Sequence, residues 1–211
     1  MHSDATSRTT ERPGDADAPQ TARSRAKADR RDALLHAAGR LFAERGYPGV
    51  SLEELGAASG VSGPAVYRHF GSKQAVLAAL LVEVSERLLA GGQAVIDEHP
   101  DAELALGALV AFHVDFALDD AEVIRVQDRD LTSLADDARH EVRQLQRRYS
   151  ELWVDVLAAL MPDATRAELR VRAQAVFGLI NSTPYSLRGV DPASARTMLA
   201  EMALAASRAT P

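Results

Sequence analysis

The stretch SLEELGAASGVSGPAVYRHFGSK, residues 51–73, decides the fold. Ser51 can cap a helix whose first turn carries Glu53 and Glu54, where carboxylates favour the positive end of the helix dipole. Gly60 ends that helix and Ser62 restarts the chain. Pro64 then falls in the first turn of the next helix, where its missing N–H costs nothing. Leu52, Leu55 and Val61 supply the apolar contacts that set the angle between the two helices. The pattern predicts a helix-turn-helix whose second helix, about 63–70, turns Tyr67, Arg68 and His69 outward and Phe70 inward.

Upstream, Leu34, Ala38, Leu41 and Phe42 recur at helical spacing over about 25–45, and Gly46 stops that helix. Downstream, a helix over about 73–91 carries Leu77, Leu80, Leu81, Val84 and Leu88 on one stripe. Further helical patterns cover 103–118, 136–160, 166–185 and 192–208, with Met161-Pro162 closing the long one. Strand alternation is nowhere convincing. The expected fold is all-α: a three-helix helix-turn-helix domain joined to a C-terminal helical bundle. Residues 1–22 mix Ser, Thr, Asp, Arg and Pro without apolar periodicity and are expected to be a disordered tail.

The totals exclude several classes. The chain of 211 residues has no cysteine, so thiol chemistry and disulfides are out. No apolar run is long enough for a membrane span and no signal peptide opens the chain, so no membrane partner and a cytoplasmic location are expected. Its six histidines show no metal-ligand spacing, and the acidic group Glu122, Asp128 and Asp130 lacks an acid/base partner. Accordingly no catalytic residue, metal or cofactor is expected, and the chain is not read as an enzyme. The net charge of -6 is unevenly placed: residues 21–75 hold nine basic and five acidic side chains, residues 76–211 thirteen and twenty-one. Positive charge therefore gathers at the motif, with Arg23, Arg25, Lys27, Arg30 and Arg31 along the approach to the first helix, a pattern suited to phosphate contact.

Residues 24–77 resemble the DNA-binding domain of the TetR family of transcriptional regulators. The likeness rests on Ala33, Leu34, Ala37, Ala38, Leu41 and Phe42, on Arg45-Gly46-Tyr47, on Ser51-Leu52-Glu53-Glu54-Leu55, on Gly60-Val61-Ser62, and on Tyr67-Arg68-His69-Phe70 followed by Ser72-Lys73. It implies a DNA-binding domain over 23–72, a ligand-binding and dimerisation domain over 73–211, and double-stranded operator DNA as partner. The DNA-contact candidates are Ser51, Ser62, Gly63, Pro64, Ala65, Tyr67, Arg68, His69 and Lys73. Lys73 stands out because the only other lysine is Lys27, against 22 arginines. At 63–65 the chain departs from the usual family pattern of a basic residue, glycine and a hydroxyl. Ala65 and Pro64 are therefore expected to meet thymine methyls instead.

The resemblance also implies a homodimer through the last two helices, its two heads about one DNA turn, roughly 34–36 Å, apart. The other reading of those apolar stripes is that they close the monomer core. Ligand-contact candidates are His113, Phe116, Arg125, Trp153, Asn181 and Tyr185, polar or aromatic groups on or near apolar stripes. For His113 taken alone, a hydrogen-bonded core histidine is the simpler reading. The segment from Gln127 through Leu157 is similar to TetR-family regulators of fatty-acid or steroid breakdown that respond to acyl-CoA thioesters. Arg125, Arg129, Arg143 and Arg147 are then candidates for coenzyme A phosphates, or ordinary helix-surface charges. The expected function is a ligand-released repressor. A regulator of efflux or antibiotic genes sensing a lipophilic drug stays open, as do an activator and a sequence-nonspecific structural DNA-binding protein.

Overall fold

The computed structural model describes residues 18–61, 63–187 and 189–209. Among them the elements run α1 (Ala18–Arg45), α2 (Leu52–Ser59), α3 (Gly63–His69), α4 (Lys73–Glu98), α5 (Ala102–Asp119) and α6 (Ala121–Asp130). A single 3-10 turn (Leu131–Ser133) leads into α7 (Asp136–Leu160), α8 (Arg166–Ile180), the one-turn α9 (Thr183–Ser186) and α10 (Pro192–Arg208). No strand occurs among the described residues.

The head is α1 to α3. Ser51 caps α2 reciprocally: its hydroxyl accepts from the Glu54 N–H at 3.2 Å while the Glu54 carboxylate accepts from the Ser51 N–H at 2.8 Å. Gly60 closes α2 in the left-handed conformation, φ 68°, which lets Val61 N–H reach the Gly56 carbonyl at 2.9 Å. Of the expected tail, residues 1–17 lie outside the described residues. The backbone of 18–22 is instead helical, as the opening turn of α1, where Pro19 is tolerated and Gln20 and Ala22 favour helix.

Three other boundaries differ from the sequence reading. Gly91 does not end α4, which continues to Glu98; with Gly92 it lets neighbouring helices approach. A side chain at Gly91 would run into the Phe112 ring of α5, and one at Gly92 would put its Cβ 2.6 Å from Tyr149 of α7. The helix expected over 166–185 stops at Ile180, because Pro184 cannot donate back to that carbonyl and begins α9 instead. The charged stretch 121–130, not read as a helix, forms α6 and buries Val123, Ile124 and Val126.

Two cores result. One joins Leu34, Phe42, Leu55, Val66 and Phe70 of the head to Leu77 and Leu81 of α4, Val126 of α6 and Val142 of α7. The other packs α5, α7, α8 and α10 around Leu109, Trp153, Leu157, Val176 and Leu199. Because the first core crosses from the head into α6 and α7, a displacement of α6 bears directly on the head.

Candidate nucleic-acid interface and ligand cavity

Helix α3 presents an outward face. Tyr67 is 53% exposed, its hydroxyl 3.4 Å from the Glu53 carboxylate, and Arg68 is exposed beside it. A basic concavity lined by Lys27, Arg30, Gly60, Arg68 and His69 runs between the start of α1 and the α2–α3 turn. Burial first, then the positive fields of Lys27, Arg30 and Arg68, hold His69 below the ordinary histidine value, so its ring favours the neutral form. Arg31 is drawn away from this face: it pairs with Glu83 of α4 and lies 5.7 Å from the centre of the Phe70 ring.

Several expected DNA contacts stand elsewhere. Ala65 is 9% exposed, packing into the head core while bordering the basic concavity. The Lys73 ammonium donates to the Tyr47 carbonyl at 2.8 Å and the Pro48 carbonyl at 3.3 Å, over the Tyr47 ring. It clamps the α1–α2 loop rather than pointing freely at a phosphate. The Ser51 hydroxyl is engaged in the α2 cap. Ser62 lies outside the described residues, as does the side chain of Pro64, while the backbone of Gly63 and Pro64 opens α3. Phe70 is in the core as expected.

The same loop is held from its other side. Asp130, at the end of α6 and only 3% exposed, accepts from the Tyr47 N–H at 3.2 Å and pairs with Arg129 at 2.9 Å. Arg129 in turn donates to the Phe42 carbonyl at the end of α1. Helix α6 is thereby fastened to the head by a partly buried, charge-assisted network. Neither residue emerged from the sequence in this role, since a carboxylate next to an arginine reads as an ordinary surface pair.

In the bundle a cavity of about 440 Å³ opens between α4, α7 and α8. His113 of α5 forms part of its floor. Its Nδ1 faces the Tyr149 hydroxyl at 3.1 Å and its Nε2 faces Asn181 Oδ1 at 3.2 Å. An amide oxygen only accepts, so Nε2 carries the proton and Nδ1 accepts from the tyrosine. Burial pushes the His113 pKa down to about 4 and raises that of the Tyr149 phenol, so both groups are neutral at pH 7. Phe177 stacks on Tyr149 with ring centres 5.7 Å apart, completing the floor.

Of the expected ligand contacts, His113 and Asn181 line this cavity. Phe116 and Trp153 back the His113 ring from the core, at centroid distances of 5.8 and 6.0 Å, without lining it. The Trp153 indole N–H approaches the Tyr149 hydroxyl without meeting hydrogen-bond geometry. Arg125 and Tyr185 belong elsewhere: Arg125 donates to the Pro184 carbonyl at 2.8 Å beneath the exposed Tyr185 ring, joining α6 to α9. Lining residues that were not foreseen include Ser85, Gln127, Gln146 and Gln174. Ser85, on the stripe of Leu81 and Leu88, and Gln174, between Ala173 and Ala175, stand out as uncharged polar residues among apolar ones, whereas Gln127 and Gln146, beside Asp128 and Arg147, carry no such signal.

The mouth is cationic. Arg143, Arg147 and Arg170 border it, and Arg147 also lines an open groove between α4 and α7 with Arg148 and Gln93. Arg170 is tied to Glu151, whose carboxyl it and Arg166 hold down at about 2. Arg143 and Arg147 make no ion pair among the described residues. No group of metal-binding side chains occurs among those residues, and no helix there is long and apolar enough to cross a membrane.

Comparison with known proteins agrees with this layout. The family described as bacterial regulatory proteins, tetR family, matches residues 34–80, and the tetracyclin repressor-like C-terminal domain matches 99–205. The transcriptional repressor KstR2 of Rhodococcus jostii is 27% identical over 162 residues, 75% of this chain and 78% of the relative. The transcriptional activator FasR of Mycolicibacterium smegmatis is 33% identical over 98 residues, 46% of this chain and 45% of that protein, so the match spans less than half of FasR. Among solved structures, the TetR-family regulator PfmR of Thermus thermophilus superposes with a TM-score of 0.72 at 24% identity, covering 86% of this chain and 97% of that one. AibR in complex with isovaleryl coenzyme A and operator DNA gives 0.69 at 18% identity, covering 82% and 97%. At those identities the structural likeness speaks for the fold. The matches to both halves of the chain make this protein a member of the TetR family of bacterial transcriptional regulators, a DNA-binding regulator and not an enzyme.

Proposed function

We propose that the protein is a homodimeric repressor, working in the cytoplasm, which binds a palindromic operator through α3 and leaves it when an acyl-CoA thioester enters the bundle cavity. The observation that carries the effector class is the pairing of an aromatic floor with an arginine mouth. His113, Tyr149 and Phe177 offer a largely apolar seat for an acyl group, and the unpaired Arg143 and Arg147 stand where coenzyme A phosphates would emerge toward the groove at Arg148. A lipophilic drug would gain nothing from those charges. The isovaleryl coenzyme A held by AibR and the repressor name of KstR2 support the same reading.

Dimerisation is supported by an outer face on α8 and α10. Val171, Met198 and Met202 are 71%, 44% and 49% exposed, and Gly178 has nothing within 4 Å of where its Cβ would stand. Apolar groups flanking an open glycine suit close pairing with the same helices of a second chain.

Release follows a contiguous route. Asn181 lies at the cavity and ends α8; the next helix, α9, is tied through Pro184 to Arg125 of α6, and α6 is tied through Arg129 and Asp130 to the head. A ligand that shifts Asn181 displaces α6, and with it the spacing of the two heads. By linkage, DNA and effector then weaken each other by one factor, typically about 5–150-fold. The test is mass spectrometry of the purified protein for a bound thioester, followed by titration of that compound with and without operator DNA. Equal affinity in both titrations refutes the mechanism. Binding of every duplex alike, instead of a preference of at least about 1,000-fold for one palindrome, would return the nonspecific structural reading.

A further inference from the structure

Gln146 has a buried amide nitrogen with no hydrogen-bond partner among the described residues. It lies on α7 and lines the cavity, three positions before Tyr149 and four before Ser150. Three other polar groups of the floor and walls are engaged, while the Gln127 side chain carries no hydrogen bond among the described residues but is not a buried orphan. His113 uses both ring nitrogens, Ser85 donates to the Leu81 carbonyl at 2.7 Å, and Gln174 donates to the Ser150 hydroxyl at 3.3 Å. A donor kept from water without an acceptor is destabilising, and buried polar groups in native proteins are nearly always satisfied by something.

Its depth indicates what that acceptor is. Along α7, Arg143 and Arg147 are exposed, Gln146 is half-buried, and Tyr149 is buried. The order from mouth to floor is cation, neutral donor, aromatic ring. An acyl-CoA thioester runs in a comparable order, with anionic phosphates outermost, then a neutral pantetheine arm that ends at the thioester carbonyl, and an apolar chain innermost. A free carboxylate at that depth would call for a cation instead of an amide.

We propose that Gln146 donates its amide N–H to the thioester carbonyl oxygen of the effector and so distinguishes an acyl thioester from a ligand of the same shape without the carbonyl. The assignment rests on the cavity being the effector site, as argued above. A site with a buried donor discriminates against the ligand lacking the acceptor because that ligand leaves the donor unpaired. Without the donor the preference disappears, since a carbonyl is the costlier group to desolvate.

The test uses the full chain, with octanoyl-CoA and its thioether analogue S-octyl-CoA as probes in isothermal titration calorimetry. The wild-type protein should bind the thioester about 5- to 150-fold more tightly than the thioether. Gln146→Met should bind the two within about twofold of each other, and its melting temperature without coenzyme A should be no lower than wild type, because the orphan donor is gone. Thioester and thioether binding equally to wild type overturns the role of Gln146 while leaving the effector class standing. That comparison needs no variant. A preference that persists in Gln146→Met also overturns it. If wild type binds neither probe, the effector class and the role of Gln146 fall together. Octanoate binding as tightly as octanoyl-CoA would put a carboxylate where the carbonyl is assigned and overturn it as well.

Discussion

His113 on α5 and Asn181 at the end of α8 share a hydrogen bond of 3.2 Å from Nε2 to Oδ1, across 68 positions of sequence. It fixes the imidazole tautomer, and so makes the other ring nitrogen an acceptor for Tyr149. The floor of the cavity is thus a neutral, internally satisfied unit whose position depends on where α8 ends.

Acid should loosen this unit first. The His113 pKa is about 4 in the folded protein against an ordinary 6.5, so between those values the unfolded chain binds more protons. Its contribution is fully present above about pH 6.5 and falls away as the pH drops toward 4, by about 3 kcal/mol in all. Urea unfolding at a series of pH values should show this slope in wild type. His113→Gln should be less stable at pH 7 and flatter in that window. An equal slope in both would assign the acid sensitivity elsewhere.

The two adjacent glycines of α4 should answer differently to alanine. At Gly92 the new methyl meets Tyr149, a buried ring packed against both His113 and Phe177, and overpacking of that kind costs about 1–3 kcal/mol. At Gly91 it meets the tip of Phe112, which is only half-buried and can swing outward. There the gain in helix propensity, about 0.8–1 kcal/mol, offsets most of the clash. Denaturant midpoints of Gly92→Ala and Gly91→Ala, compared with wild type, decide the order.

Lys73 and Lys27 should separate by their readouts. Lys27 lines the basic concavity beside α3, so Lys27→Ala should weaken all duplexes alike and lower the salt slope of binding by about one, with an unchanged melting temperature. Lys73→Met removes two hydrogen bonds to the α1–α2 loop and should lower stability by about 1–2 kcal/mol. A Lys73→Met protein as stable as wild type, with the same loss in salt slope, would restore the phosphate role expected from sequence.

Asp130→Ala should cost about 2–3 kcal/mol, less than a fully buried pair because Arg129 is 41% exposed. It should also uncouple the two ends of the molecule, so that an effector bound in the cavity no longer reduces operator affinity. Full release by effector in Asp130→Ala, measured by fluorescence anisotropy of labelled operator, would remove α6 from the route.

Met202→Arg together with Val171→Arg should turn a dimer into a folded monomer with weakened operator binding, since both side chains already face outward. Sedimentation would show the change in mass, and unchanged helicity would show that the fold survives.

The head was legible because its signals are local. The Ser51 cap with Glu54, the Gly60 stop and the periodicity through Leu34, Leu41 and Phe42 each concern residues within one or two turns. So were the end of α7, closed by Met161-Pro162, and the start of α10, with Pro192 in its first turn. Where the reading went astray, long-range packing decided. Gly91 looks like a terminator until Phe112 is known to lie against it, and Lys73 looks free until the Tyr47 and Pro48 carbonyls are found beside it. Arg125 and Tyr185 were grouped with His113 by proximity to apolar stripes, yet only the meeting of helix faces tells which stripe borders a cavity. Gln146 was invisible for the same reason.

Trp153 is the sole tryptophan of the chain, fully enclosed, with its indole N–H unpaired among the described residues and its ring set edge-on to Phe177 at 5.1 Å and to His113. An indole in so dry a place emits toward the blue, and its brightness depends on the aromatic and imidazole neighbours around it. Anything that tilts those rings or admits a dipole near them alters the light. The protein therefore contains a single, unlabelled optical gauge directly behind the cavity floor, able to follow occupancy in real time while the DNA-binding end is watched by an independent dye.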